Sequence, residues 1–578
     1  METANKLTRV QVILGLTILV FVILAVRLFY IQVIEHDRYT EVARGMQVMK
    51  DTILPERGQI YIRDGSGTAP LVLNESVYTV FADAQEIENK DEVINKVSSV
   101  AGDKYVDPAE MLGDAENRYV VLARQLSRTQ AEEIRGFDLA GVGVQATTRR
   151  VYPEGGLAGQ SIGFVNLDGK GQYGIEQYLD KELTGTPGVL ESVTDVRRIP
   201  LTIGQHDVRV PAENGQNIVL TIDRNIQAEV ETVLAAGLKN VGATQGSVLV
   251  MDPSNGAVLA MANFPSYSPA DYGRVTDASL FQNATVSDAF EPGSVTKVMT
   301  TAAAIDSGVV NQNSTFYNPG CVQIADAKIC NVLRNIDGQT MSMTQVLQYS
   351  LNTGVVWELE QMGGGSINDR AKNTLYNYFH ERFRFDKTTG IEQGGETEGM
   401  IYSPEHEQGG VVNYANMTFG QGFRTTMVEM LSAFGGAING GTYYQPHLVE
   451  GTLNSENAIV AKDVEVIDGG MVRPETSTAI RGMMIDARRG NAGADRGYNV
   501  GGKSGTAQVY DASLGRYSDT RWVGTFLGFG ADASGTPKYV IMVRVDDSKA
   551  GGYAGSAAAE PIFTAISNWI IDYKGISK

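Results

Sequence analysis

Glu291-Pro-Gly-Ser-Val-Thr-Lys297 is the stretch on which the reading of this chain turns. Pro292 and Gly293 break whatever precedes them. Ser294 then opens an Ala-, Thr-, Met- and Val-rich run that predicts a helix to about Ser307, stopped by Gly308. A serine in the first turn of a helix meets unpaired backbone N–H groups and the positive end of the helix dipole. Lys297 lies three residues on and projects from the same face one turn later. A serine hydroxyl is inert at neutral pH until a base takes its proton. Lysine becomes such a base only when desolvation or nearby positive charge lowers its proton affinity. Taken alone, Ser-x-x-Lys is weak evidence, and a helix cap followed by a surface lysine is the plainer reading.

Two later stretches decide between these readings. Tyr349-Ser-Leu-Asn-Thr-Gly354 holds a Ser-x-Asn element at Ser350 and Asn352, and Gly501-Gly-Lys-Ser-Gly-Thr-Ala507 holds Lys-Ser-Gly-Thr from Lys503 to Thr506. In this order the three elements resemble the active-site signature of penicillin-binding proteins and serine β-lactamases. The resemblance implies that Ser294 attacks the carbonyl between two D-alanines of a peptidoglycan stem peptide and that Lys297 accepts its proton. It implies that Ser350 relays a proton to the departing D-alanine, and that Asn352 holds Lys297 and a substrate amide. Lys503 adds positive potential and orients the donor carboxylate, which Ser504, Gly505 and Thr506 bind. The same resemblance implies an oxyanion hole made by the backbone N–H groups of Ser294 and Thr506. Whether Lys297 takes the serine proton directly or through Ser350 stays open.

A chain of 578 residues predicts two to four domains. Its hydrophobic fraction of 43% is ample for real cores, and a net charge of -19 with no long basic run excludes a nucleic-acid partner. Five histidines (His36, His206, His380, His406, His447) show no ligand spacing, so no metal and no cofactor are expected. The two cysteines, Cys321 and Cys330, are a candidate short-loop disulfide if this part of the chain lies outside the membrane; geometry decides.

In chain order, residues 1–9 form a short polar tail and residues 10–31 a nearly unbroken apolar span, enough for one membrane crossing. No small-x-small cleavage site follows it, which favours an uncleaved anchor. Leu54-Pro-Glu-Arg-Gly-Gln-Ile-Tyr-Ile-Arg-Asp-Gly65 predicts a strand from Gln59 to Arg63. It is similar to the Arg-Gly-x-Ile-Tyr-Asp-Arg motif of class B penicillin-binding proteins, with Ile62 where that family usually has aspartate; whether Asp64 takes over is open. Helices are predicted at Asp83–Val100 and Ser127–Arg135. Arg149-Arg-Val-Tyr-Pro153 and Gly171-Gln-Tyr-Gly-Ile-Glu176 resemble two more elements of the same class. Arg57, Arg149, Arg150 and Glu176 are read as structural ion-pair residues. No glycosyltransferase signature is found between residues 35 and 215, so the chain is expected to cross-link glycan strands without polymerising them.

A polar, turn-rich boundary falls near Pro211–Gln216. Beyond it the pattern predicts a strand at Asn217–Thr221, a helix at Asp223–Gly237 and a β-hairpin at Gly246–Met261. A mostly helical middle follows, with helices at Gln345–Leu351, Val355–Met362 and Asn368–Phe383. Strands at Trp522–Phe529 and Lys538–Val545 and a closing helix at Ala557–Tyr573 come last. Strands from both ends are expected to build one antiparallel sheet.

The fold class expected is therefore multidomain α+β. A membrane anchor (10–31) precedes a mixed α/β non-catalytic pedestal of dimerisation type (35–215). A transpeptidase domain (216–578) follows, an antiparallel sheet with helices on both faces plus an all-helical subdomain. The partners implied are stem peptides, β-lactams, membrane lipid around the anchor, a membrane glycosyltransferase, and division or elongation proteins. The rival readings are a penicillin-sensing receptor or scaffold, and a β-lactamase or D,D-carboxypeptidase.

Overall fold

The computed structural model describes residues 8–40, 48–108, 111–112, 118–193, 208–491, 495–511, 515–550 and 553–578. Residues 1–7 of the expected tail lie outside this set. By contacts the chain divides into one unit of residues 1–57 and 184–215 and another of residues 58–183 and 216–578.

The first unit carries the apolar N-terminal helix. Residues Arg9–Ile34 form one helix long and apolar enough to cross a membrane, with none of its residues buried. Its last turn, Tyr30–Ile34, widens to π geometry. A three-stranded antiparallel sheet of Val48–Ile53, Gly188–Val193 and Val208–Val210 completes the described part, with Gly188–Val193 central. Arg57 donates to the Thr184 hydroxyl at 2.7 Å.

The second unit is built on two sheets. The larger is mixed and seven-stranded, in the order Ile459–Ala461, Val449–Leu453, Ile218–Asp223, Ile60–Asp64, Gly67–Ala82 and Val120–Leu126, with Val142–Val151 also on Gly67–Ala82. The strand expected at Asn217–Thr221 joins this sheet, parallel to Ile60–Asp64, and not the antiparallel sheet of the catalytic region. Ile60, Ile62, Ile218, Leu220 and Ile222 are all fully or nearly fully buried in one core, which ties the strands together. That burial also explains the apolar residue at Ile62. Arg63 pairs with Glu450 at 2.8 Å, while Asp64 accepts from Asn225 at 3.0 Å, so neither needs a charge at position 62.

The helix predicted from Asp83 starts only at Lys90, where the Asn89 side chain caps it. Arg128–Gly136 begins at a capping box of Ser127 and Gln130. Glu176 is fully buried, and its carboxylate accepts from Arg150 Nε at 2.8 Å. Arg150 also donates to Asn74 at 2.7 Å, and Arg149 pairs with Glu75 on the surface.

The smaller sheet has five antiparallel strands: β1 (Gln245–Met251), β2 (Val258–Phe264), β3 (Asn499–Asp511), β4 (Arg516–Ala531) and β5 (Pro537–Asp546), in spatial order β2-β1-β5-β4-β3. Successive side chains point to opposite faces, and both faces are apolar. Val248, Val250, Ile541 and Val543 pack under the helices Arg224–Val241 and Glu560–Tyr573. Leu249, Met251, Val540 and Met542 face the helical middle. There the helix Met427–Ile438 is buried at every residue. The helix predicted at Asn368–Phe383 is an α-helix only over Asp369–Tyr376, then widens into a π turn at Asn377–Arg382.

Replacing one member of a buried ion pair leaves the other charge uncompensated. Glu176→Gln is expected to cost roughly 3 kcal/mol, seen as a melting midpoint lowered by several degrees. β-lactam binding per folded molecule should stay unchanged. A loss of binding without loss of stability would give Glu176 a role in the chemistry.

Candidate active site

Ser294 occupies a single 3-10 turn, Gly293–Val295, that runs into helix α1 (Thr296–Asp306). The α-helix proper therefore begins two residues later than the sequence predicts, its first turn tightened by shorter-range bonding. This turn is clamped from two sides. The Gly293 N–H donates to the Gly420 carbonyl at 3.0 Å, and a Cβ at Gly420 would lie 2.0 Å from the Gly293 oxygen. On the other side Thr525 donates to the Pro292 carbonyl at 2.9 Å. A Cβ at Gly505 would lie 2.3 Å from that Thr525 hydroxyl and 3.0 Å from the Pro292 oxygen. The glycine of Lys-Ser-Gly-Thr is thus what lets β3 approach the nucleophile turn, and Gly420 of Thr418-Phe-Gly-Gln-Gly422 does the same from behind. A Cβ at Gly293 would lie 3.1 Å from the Thr506 carbonyl oxygen and 3.3 Å from its nitrogen, so β3 passes close to the turn that carries Ser294.

Helix α1 is buried from Thr296 to Ile305. Lys297 is 0% exposed, and its Nζ donates to the Ser350 carbonyl at 2.7 Å and to the Ser350 Oγ at 3.0 Å. Burial, and next the positive charge of Lys503, hold its proton affinity well below the ordinary lysine value, with Glu358 opposing. Lys503 is buried on β3, donates to the Ser504 carbonyl at 2.7 Å and is pushed down to about 8 by burial. The Lys297 amine bonds to Ser350 and not to Ser294. A base commonly closes on its nucleophile only once substrate is bound.

Ser350 owes its position to a helix end. It follows α2 (Met343–Gln348) and precedes α3 (Asn352–Met362). Its φ is +53°. The Leu351 N–H reaches the Val346 carbonyl at 3.0 Å and the Ser350 N–H the Leu347 carbonyl at 3.3 Å. These are the two bonds of a Schellman stop, in which glycine usually fills the left-handed position. Serine there is strained, and the strain aims both its carbonyl and its hydroxyl at Lys297. Asn352 donates to the Cys330 carbonyl at 2.9 Å; the holding of Lys297 expected of Asn352 falls to Ser350.

Cys330 is bridged to Cys321, directly opposite it in the hairpin Cys321–Ile324/Ala327–Cys330. Asn331 accepts from the Thr353 N–H at 3.0 Å, so the bridged hairpin braces the start of α3. Ser504 and Thr506 are part-exposed on β3 and alternate with buried Lys503 and Gly505. Thr506 Oγ1 accepts from the Gly555 N–H at 3.0 Å. Because β3 is an edge strand, its outer backbone groups can pair with an extended peptide. Glu358 was missed by sequence reasoning, although helical spacing from Val355 and Met362 puts it on a buried face.

This arrangement suits transfer of an acyl group along an edge strand. Two family models match the chain: the penicillin binding protein transpeptidase domain over residues 246–568 and the penicillin-binding protein dimerisation domain over residues 52–220. The chain belongs to the class B penicillin-binding proteins. It is 30% identical to stage V sporulation protein D of Bacillus subtilis over 577 residues, covering 97% of this chain and 85% of that one. It is 28% identical to the peptidoglycan D,D-transpeptidase FtsI of Escherichia coli over 591 residues, covering 99% and 92%. The crystal structure of penicillin-binding protein 2X from Streptococcus thermophilus shares the fold with a TM-score of 0.69 at 24% identity, covering 91% of this chain and 80% of that one.

The strained serine yields a test that separates stability from chemistry. Ser350→Gly removes the left-handed penalty, about 1 kcal/mol, and with it the hydroxyl. Thermal stability should rise while acylation by a β-lactam slows about 100-fold. A variant that acylates at the wild-type rate would show that the Ser350 hydroxyl takes no part.

Proposed function

We propose that this peptidoglycan D,D-transpeptidase works through an acyl-enzyme on Ser294. The observation that carries the reading is the wholly buried Lys297 amine, held by Ser350 one turn from Ser294. The Ser294 hydroxyl attacks the D-alanyl-D-alanine carbonyl of a donor stem peptide as Lys297 takes its proton. The Ser294 and Thr506 amides receive the oxyanion. Ser350 passes the proton to the leaving D-alanine, whose carboxylate Lys503, Ser504 and Thr506 bind. An amine of a second stem peptide then takes the acyl group and restores the serine. β-Lactams acylate the same serine. Asn352 holds a substrate amide once its bond to Cys330 yields.

A cavity of about 540 Å³ opens beside the nucleophile turn, between Phe290, Glu291 and Arg424 on one side and Ala507, Gln508 and Val509 on the other. The body of the stem peptide extends into it from β3. Residues 35–215 serve as a non-catalytic pedestal without glycosyltransferase activity. Arg9–Ile34 anchors the chain in the cell membrane with its bulk outside. A membrane glycosyltransferase supplies the strands to be cross-linked, and division or elongation proteins recruit the pair.

Incubating the purified chain with a donor pentapeptide and an amine acceptor tests this reading. Cross-linked product is expected from the wild type and none from Ser294→Ala. Hydrolysis with no transfer would favour a β-lactamase-like or carboxypeptidase enzyme, and a stable adduct with neither would favour a sensor.

The pH dependence gives a second test. Lys503 must stay charged to hold a carboxylate, so acylation should decline as pH rises through about 8. Lys503→Arg, which keeps its charge, should lose that alkaline limb. A limb that survives the substitution would assign it to another group.

A further inference from the structure

Behind the lysine lies a second buried ionisable side chain that the reaction scheme leaves unused. Glu358 is 0% exposed and sits on α3, which packs against α1. Both of its carboxylate oxygens lie 3.0 Å from the Thr301 hydroxyl. Thr301 follows Lys297 by four residues on α1, so both project from one face, a single turn apart. Thr301 has one proton to donate and can satisfy only one of those oxygens. Among the described residues it is the one hydrogen-bond donor to Glu358. An ionised carboxylate accepts at about four sites, so this pocket is built too sparsely to hold a settled anion by itself.

The electrostatic surroundings are simple. Burial pushes the Glu358 carboxyl up to about 8, and the charge acting on it is that of Lys297. The ionisable groups on the other elements packed against α3, namely Lys328, Asp369, Arg370, Lys372, Tyr376 and Tyr414, do not contribute. On Lys297 the acting charges are Lys503 from β3 and Glu358 from α3. Glu429, Glu475, Arg481, Asp486 and Arg488, on the helices Met427–Ile438 and Pro474–Arg488 packed against α1, do not contribute.

We propose that Glu358 is a positioning residue for the general base: its buried carboxyl group, bonded to Thr301 one helical turn along α1 from Lys297, stabilises the ammonium form of that lysine and so sets how strongly it takes the serine proton. Lys503 in front and Glu358 behind act on Lys297 with opposite sign. Lys503 frees the amine of its resting proton. Glu358 keeps it basic enough to accept another, and the two buried groups titrate as a coupled pair. Thr301 fixes the carboxyl in place. The role resembles that of the carboxylate behind the histidine in a serine triad, which stabilises the cation formed when the base is protonated. It rests on the acyl-transfer reading given above.

Two readouts test it. The first is direct titration of Lys297 by NMR in chain labelled with 13C-lysine, the resonance being assigned by its loss in Lys297→Arg. The second is the pH profile of acylation by a β-lactam. Glu358→Gln, nearly isosteric, should lower the Lys297 midpoint by about one pH unit. The acid limb of acylation should move down with it, and the plateau rate should fall several-fold. Thr301→Val, which removes the hydroxyl that favours the carboxylate, should shift both in the same direction by less. An unchanged midpoint in both variants would overturn the proposal, as would a Glu358→Gln protein that melts earlier yet keeps the wild-type acid limb. The titration decides the matter even if the wild type fails to acylate, an outcome that would sink the acyl-enzyme reading alone.

Discussion

The amine of Lys297, taken wholly out of water and received by a single residue, is the constraint that the rest of the catalytic region serves. An isolated ammonium in such a place is costly, and the group responds by giving up its proton. Ser350 supplies two acceptors that hold the amine in place and brings no negative charge to favour the cation. Burying a lysine has a consequence for the fold as well. The unfolded chain binds a proton at Lys297 that the folded one releases, so stability from this residue rises with pH between its depressed folded value and the ordinary lysine value. The cost of burying it is carried by the apolar packing of helix α1 among α2, α3 and the helices Met427–Ile438 and Pro474–Arg488.

Around this amine, each motif has a mechanical task. The glycines at 420 and 505 let two backbones close on the turn that carries Ser294. The left-handed Ser350 ends one helix and starts the next while pointing at Lys297. The bridged hairpin at Cys321–Cys330 braces Asn352 and Thr353. A well-packed interior transmits small displacements, so the precision of the site depends on contacts that touch no substrate. Strain at Ser350 fits the general tendency of unusual backbone conformations to gather where function over-determines them.

Much of this was legible in the sequence because it rests on short-range rules. Period-two and helical patterns gave the hairpin at Gly246–Met261, the last two strands and the closing helix, since these elements bury continuous apolar faces. The Ser-x-x-Lys, Ser-x-Asn and Lys-Ser-Gly-Thr elements, far apart in the chain, lie together in the fold. What escaped depended on partners far away in the chain. The strand at Ile218–Asp223 chose Ile60–Asp64 as its neighbour because their isoleucines share a core, and no local pattern specifies that pairing. Asn352 turned to the Cys330 carbonyl, which only the hairpin places nearby. No local pattern sets Glu358 apart from other helix charges; its partner Thr301 lies on the facing helix, 57 residues away in the chain.

The most direct measurement is the intact mass of the chain before and after penicillin, followed by peptide mapping of any adduct. The proposed acyl-enzyme predicts one covalent adduct per molecule, persisting for many minutes and located on the peptide that contains Ser294. An adduct on another residue, or none from protein shown to be folded, would contradict the assignment of this serine and this lysine to the chemistry.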